Sequence, residues 1–240
     1  LTAWILGLNG LKTDNFFLSM LKPENFSPII ALIGVIMIMG AKSAKKRDVG
    51  TIMVGFSVLM FGMDLMSDSV APLANMPEFT GILTAFNNPI LGVLIGTVFT
   101  GIIQSSAASV GVLQALSLTG SITYGMAIPI IMGQNIGTCV TALLSSIGVN
   151  KNAKKVSVIH ISFNLIGTML GLIVYFILKD IVKIGGFDNA INSFAVAGFH
   201  SVFNIATTIV LLPFSKRLVA LANFVIKEGS TEEKHVLLDE

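Results

Sequence analysis

Charge is scarce in this chain. Of 240 residues only 12% are Asp, Glu, Lys or Arg, while 53% are hydrophobic, and the mean hydropathy is +0.85. Soluble domains carry roughly 25% charged residues, so this composition excludes an ordinary soluble fold. Short segments of alternating polarity are lacking too, which argues against a β-barrel. The single cysteine, Cys139, rules out an internal disulfide and says nothing of compartment. No hydrolase triad, metal cluster or phosphate-binding loop is present, so an enzyme is not expected. The opening Leu1-Thr-Ala-Trp-Ile-Leu has neither a Met nor a basic leader and reads as the middle of a pattern, so the chain is read as a fragment. What is present is long apolar runs, with 23 Gly and 11 Met suited to close helix packing and gap filling. The expected class is an all-α polytopic membrane protein in a lipid bilayer. Net charge is +2, and the basic residues sit at the ends of apolar runs. They report topology, not binding to nucleic acid.

In order, residues 1–10 read as the tail of a helix, and 11–27 as a polar extracellular connector with an apolar patch at Phe16–Leu21. Pro28–Ala41 is a short candidate span. Lys42, Lys45, Lys46 and Arg47 follow as a cytoplasmic loop. Val49–Met66 spans and carries Asp64. Residues 67–88 form a connector with a short apolar piece at Phe79–Phe86. Pro89–Leu118 is apolar except for Gln104-Ser-Ser106 and small polar neighbours. A helix from Pro89 to Ile103 would be roughly 22 Å long, short of the ~30 Å hydrocarbon core. Further spans are expected over Gly120–Gly148, Val156–Leu178 and Phe194–Phe214, and residues 219–240 form a charged cytoplasmic tail.

The basic clusters choose the topology. If Pro89–Leu118 crossed once, Lys151–Lys155 and Lys216-Arg217 would fall on the side opposite Lys42–Arg47. If it is a re-entrant hairpin, about residues 79–118, all three clusters are cytoplasmic. Thr2-Ala-Trp-Ile-Leu-Gly-Leu-Asn-Gly10 resembles Thr141-Ala-Leu-Leu-Ser-Ser-Ile-Gly148, and in this topology the copies have opposite orientation. Opposed copies are the mark of an inverted-repeat transporter.

Lipid offers no partners to polar groups, so Gln104, Ser105, Ser106 and Ser109 must face protein, an ion or a solute. Gly92, Gly96, Thr100 and Gln104 fall four apart, a stripe on which another backbone could approach. Hydroxyls and amides can serve an oxyanion or a hard cation, and helix N-termini at a hairpin tip favour the anion. Interhelical hydrogen bonding is the plainer alternative. Gly133-Gln-Asn-Ile-Gly-Thr138 suggests an unwound turn with Asn135 and Thr138 at a site, or a kink made for packing. Asp64, near the end of its span, suits a solvated or capping role. The echo Ile159-His-Ile-Ser-Phe-Asn164 and Phe199-His-Ser-Val-Phe-Asn204 suggests packing and hydrogen bonding between successive helices.

Gln104-Ser-Ser-Ala-Ala-Ser109, Gly133-Gln-Asn-Ile-Gly-Thr-Cys-Val-Thr-Ala142 and the His-x-x-Phe-Asn pair together resemble the sodium/phosphate cotransporter family, type II with its bacterial relatives. The resemblance implies an inverted-repeat fold with a re-entrant helical hairpin and discontinuous helices, of which residues 28–218 contain the second repeat. It implies sodium-coupled transport of inorganic phosphate, with Gln104, Ser105, Ser106, Asn135 and Thr138 lining the substrate site. Gln104, Ser105, Asn135 and Thr138 would also meet sodium, the coupling ion; no other cofactor is implied. The missing first repeat is the expected partner, with a homodimer as a further one. The expected location is the bacterial inner membrane, with the C-terminus leading towards a PhoU-like domain. Ala107, where the family motif has a third Ser, and Cys139, where it often has Thr or Ser, are departures that bear on affinity and substrate. The rivals are transport of another small anion and a non-transporting membrane subunit or sensor.

Overall fold

The computed structural model describes residues 2–7, 23–70, 72, 76, 87–148, 150–183 and 185–227. Among them the elements are helices: α1 (Thr2–Gly7), α2 (Pro23–Gly40), α3 (Ala44–Val70), α4 (Pro89–Ile103), α5 (Ser106–Leu118), α6 (Tyr124–Ser145), α7 (Lys151–Phe176), α8 (Ser193–Leu211) and α9 (Ser215–Val225). A π-turn, Ile177–Ile181, extends α7, and a 3₁₀ turn, Leu212–Phe214, links α8 to α9. Four helices, beginning at Ala44, Tyr124, Lys151 and Ser193, are long and apolar enough to cross a membrane. The chain is an all-α, multi-pass membrane protein. Its exposed Ile52, Phe61, Ile209 and Phe224 suit a lipid surround, where exposed apolar side chains cost nothing.

Several boundaries differ from expectation. Pro28 lies inside α2, which starts at Pro23, so the connector expected up to residue 27 is already helical at its end. Lys45, Lys46 and Arg47 form the first turn of α3, leaving only 41–43 as a connection. Asp64 lies half-buried within α3, which runs on to Val70. The stretches 8–22, 77–86 and 228–240, including Phe16–Leu21, Phe79–Phe86 and the charged tail, lie outside the described residues.

Two close crossings shape the fold. In the hairpin α2–α3, a Cβ on Gly34 would meet the Gly50 carbonyl oxygen at 2.8 Å, and one on Gly50 would meet the Gly34 oxygen at 2.7 Å. In the second, α4 and α6 run parallel in contact along most of α4. Gly92 faces Pro129, Gly96 faces the Ile130 carbonyl, Gly133 faces the Val93 carbonyl and Gly101 faces Val140. The expected stripe Gly92, Gly96, Thr100 is therefore buried against a second stripe on α6. Thr97 adds a polar stitch, its hydroxyl donating to the Val93 and Gly133 carbonyls at 2.8 and 3.1 Å.

The expected unwinding at Gly133–Thr138 does not occur: α6 is continuous from Tyr124 to Ser145. Gly133 and Gly137 are there because α4 leaves no room for a Cβ. The helical break falls instead at Gln104–Ser105, between α4 and α5. α5 folds back along α4, since Thr100 and Ser109 meet across the bend with their hydroxyl oxygens 2.7 Å apart. Residues 89–118 thus form a helical hairpin, and α6 starts from the side on which the hairpin began. There the loop before α6 pairs with the loop before α8, through Tyr124 N–H to Asn189 O (3.1 Å), Gly125 N–H to Phe187 O (2.8 Å) and Ile191 N–H to Ile122 O (2.9 Å).

α7 and α8 are antiparallel, with Gly167 against Thr207 and Gly171 against Phe203. α9 buries Leu218 and Ala222 and packs on α7, so Lys216 and Arg217 join the end of the bundle that holds Lys151–Lys155.

The close crossing predicts a sharp contrast. Gly133→Leu should destabilise the protein in a detergent melt by about 3 kcal/mol or more, because overpacking here meets backbone rather than a flexible side chain. A Cβ on Gly55, on the outer face of α3, meets nothing within 4 Å. Gly55→Ala should raise stability by about 0.5–1 kcal/mol, the gain of removing a helix-interior glycine.

Candidate functional site

The hairpin tip is built by two caps back to back. α4 ends because Gln104 takes a left-handed conformation (φ 56°, ψ 18°), and its N–H closes the last turn on Thr100 O at 2.8 Å. For a residue with a Cβ this conformation is costly, and it occurs where the surroundings impose it. α5 begins because Ser105 is an extended N-cap whose hydroxyl accepts from Ala108 N–H at 3.2 Å. The Ser109 N–H reaches Ser105 O at 3.0 Å. Ser106 and Ala107 follow in the first turn, where a helix has no internal acceptor for its N–H groups. Gln104, Ser105 and Ser106 are all exposed. The tip thus offers an amide, two hydroxyls and the positive end of a helix dipole on an accessible edge, which is chemistry for an oxyanion. Ala107, half-buried, contributes no hydroxyl.

Asn135 and Thr138 sit elsewhere on the scaffold. Asn135 is buried and donates to Ile131 O in its own helix at 2.8 Å. Thr138 donates to Asn135 O at 2.6 Å. Two residues along a helix turn the side chain by roughly 200°, so Asn135 points away from the Gly133 face that meets the hairpin. It belongs to the side occupied by α7. There Cys139, one turn on, lies 3.7 Å from His160 O and 3.4 Å from the Asn164 amide. Gly101 is level with Val140, so the tip lies on the order of 12 Å beyond Asn135 along the axis of α6. The three tip residues are therefore together, and Asn135 and Thr138 are together, but the two groups do not touch.

The matched His-Asn pairs act mainly within their own helices. Asn164 donates to His160 O at 3.0 Å, and Asn204 donates to His200 O at 2.7 Å. Among the described residues only the first pair reaches across, through Cys139.

Two buried glutamines escaped the sequence reading. Gln134, on α6, donates through Nε2 to Ser109 O at 3.0 Å, tying the hairpin to the scaffold just behind the tip. Gln114, on α5, donates to both Ala3 O (2.8 Å) and Ser193 O (3.0 Å), tying α1 and α8 to the hairpin. Each leaves a buried side-chain oxygen with no partner. The signal available in advance was an amide on the same helical face as the glycine stripe, since Gln134 shares that side of α6 with Ile130 and Gly137.

Comparison with known proteins comes down on a single family. The family model described as Na+/Pi-cotransporter matches residues 1–68 and 59–200. The Escherichia coli (strain K12) protein YjbB, provisionally named as an inorganic phosphate export protein, is 26% identical over 203 residues, covering 84% of this chain and 37% of that protein. Bacillus subtilis (strain 168) YqeW, an uncharacterised protein, is 26% identical over 201 residues, 82% of this chain and 64% of its own length. Human sodium-dependent phosphate transport protein 2B is 24% identical over 226 residues, 92% of this chain and 31% of its own length. The chain thus spans little more than a third of the length of the first of these relatives. No solved structure matches. Matched along most of its length, and carrying the helical hairpin on a glycine-packed scaffold, the chain belongs to the Na+/Pi-cotransporter family.

Proposed function

We propose that this chain is the second-repeat portion of a transporter that moves inorganic phosphate across the membrane in company with sodium. The observation that carries the reading is the hairpin tip. An exposed helix N-terminus with Gln104, Ser105 and Ser106 stands at the end of two helices too short to span a bilayer. Such a tip can hold an anion without a buried Lys or Arg, through backbone N–H groups, hydroxyls and the helix dipole. Phosphate is the anion consistent with the family and with the named relatives.

The charge of a phosphate at such depth needs compensation, and co-bound sodium supplies it. Hydroxyl and amide oxygens are the ligands that sodium takes. Asn135 and Thr138 enter this site on the family resemblance. They lie on the scaffold helix to which the hairpin is fixed, so they would join the tip residues only through the opposing repeat. The sodium gradient sets direction. The export named for the E. coli relative and the uptake expected of a symporter are the same cycle run under different gradients. On this reading the hairpin is re-entrant, and Lys42–Arg47, Lys151–Lys155 and the C-terminus face the cytoplasm.

Two outcomes test this reading. In proteoliposomes holding the full-length protein, labelled phosphate uptake should saturate and require an inward sodium gradient. The double variant Ser105→Ala/Ser106→Ala should reduce it by about 100-fold or more, the scale of losing two hydrogen bonds to a charged ligand. Uptake at the normal rate by that variant rejects the site. Gln104→Gly separates shape from chemistry. It should melt about 1 kcal/mol higher, because the left-handed conformation suits glycine, and yet lose transport because the amide is gone.

A further inference from the structure

A cavity of about 800 Å³ lies between α6, α7 and α8, and no residue of the hairpin helices α4 and α5 lines it. Its walls carry two stripes spaced by four residues: Leu170, Val174 and Leu178 on α7, and Val202, Ala206 and Val210 on α8. Residues four apart share one face of a helix, so both helices turn an apolar face to the same space. Native interiors keep few voids larger than a water molecule, and water does not settle against apolar walls. Small-molecule sites span roughly 300–1,000 Å³ and are mostly apolar, so this space has the size and chemistry of a site for an apolar occupant.

Its boundaries say which apolar occupant fits. At one end α7 and α8 close on each other, Gly167 against Thr207. At the other the loop 185–190 covers the cavity, with Gly186 and Phe187 in its lining. That loop is clamped: the Phe187 ring packs edge-on against Tyr175 with centres 5.3 Å apart, and the Phe187 carbonyl accepts from Gly125 N–H at 2.8 Å. From Gly167 to Leu178 is roughly 16 Å along α7, about one leaflet of the ~30 Å hydrocarbon core. A spanning helix from elsewhere in the protein needs twice that length and would meet the loop. An acyl chain needs one leaflet, and it can enter from the side, where Val174 and Val202 are exposed.

Charge stands at the loop end. Lys179, half-buried beside Leu178, donates from Nζ to the Tyr175 hydroxyl at 3.4 Å and lies 5.6 Å from the centre of that ring. An ammonium has three donors, so a lipid phosphate can take another. Lysine and tyrosine are the residues that meet the edge of the hydrocarbon core, apolar body inward and polar tip outward. Lys183, Asp180 and Asp188 follow nearby in sequence, so two cations face two anions. A balanced rim suits a headgroup that carries both signs.

We propose that this cavity takes an acyl chain of a zwitterionic phospholipid of the phosphatidylethanolamine type, with its phosphate at Lys179. The chain would fill the space between α7 and α8 and set their separation. The proposal does not rest on the transport reading; it needs only the membrane setting of α6, α7 and α8.

The test is a melt of delipidated, purified full-length protein in detergent, titrated with dioleoyl phosphatidylethanolamine. The wild type should melt higher as the lipid is added. Ala206→Phe puts a ring into the cavity and should weaken the apparent lipid affinity about tenfold, one step of the affinity scale. Ile205→Phe, at an exposed position outside the cavity lining, should leave the response unchanged. Lys179→Met keeps the stem and removes the ammonium, so its response should fall to that given by dioleoylglycerol, which has no phosphate. Should Ala206→Phe fail to fold, Val202→Phe serves. If neither folds, another part of the protein fills the space and the proposal is overturned. A wild type indifferent to the phospholipid overturns it too, as does an equal response in wild type and in whichever ring variant folds. An unaltered response in Lys179→Met, or a stronger one to dioleoyl phosphatidylglycerol in the wild type, overturns the headgroup assignment.

Discussion

The contact on which the structure depends is backbone against backbone, where α4 lies along α6. Gly96 meets the Ile130 carbonyl and Gly133 meets the Val93 carbonyl, closely enough that neither position has room for a Cβ. Lipid tails are as apolar as leucine, so burial alone does not hold two helices together in a membrane. What does so is the density of contact that small residues permit, helped by polar stitches such as Thr97 to the Gly133 carbonyl. A stripe of Gly92, Gly96 and Thr100 on one helix, and of Pro129, Gly133 and Gly137 on the other, makes the pair nearly rigid. The hairpin's first limb is thereby fixed to a helix long enough to span.

That attachment decides what the second limb can do. α5 returns along α4 and carries the buried Ser109 and Gln114, and its own N-terminus is left at an exposed tip. The polar residues of residues 89–118 thus divide by depth. Gln104, Ser105 and Ser106 face outward, where a solute can reach them. Thr100 and Ser109, one turn below, are sealed and are joined by Gln134 from the scaffold. A short helix whose cap is exposed and whose body is sewn to a rigid neighbour is a sound base for a binding site, because its N–H groups are aimed before the ligand arrives.

Much of this was legible in the residues. A run of apolar residues too short to span, interrupted by Gln104-Ser-Ser106, implied a hairpin, and its bend falls there because Ser105 caps one helix and Gln104 ends the other. The stripe spaced by four implied a close neighbour. The motif Gly133-Gln-Asn-Ile-Gly-Thr138 was ambiguous for a physical reason. Glycine serves equally to unwind a helix and to admit a neighbour, and only the presence of α4 at that face distinguishes the two. The same fact hid Gln134, whose importance lies in what stands opposite it.

The sequence by itself determined the class, the break and the packing stripes, because these follow from hydropathy, cap chemistry and helical period, all of which are local. Only the tertiary structure decided which stripe meets which, that α4 and α6 run parallel, and that Asn135 turns towards α7 while Gln134 turns towards the hairpin. Those choices depend on the register between segments some forty residues apart, where a Cβ either fits beside a carbonyl or does not. No local rule contains that information.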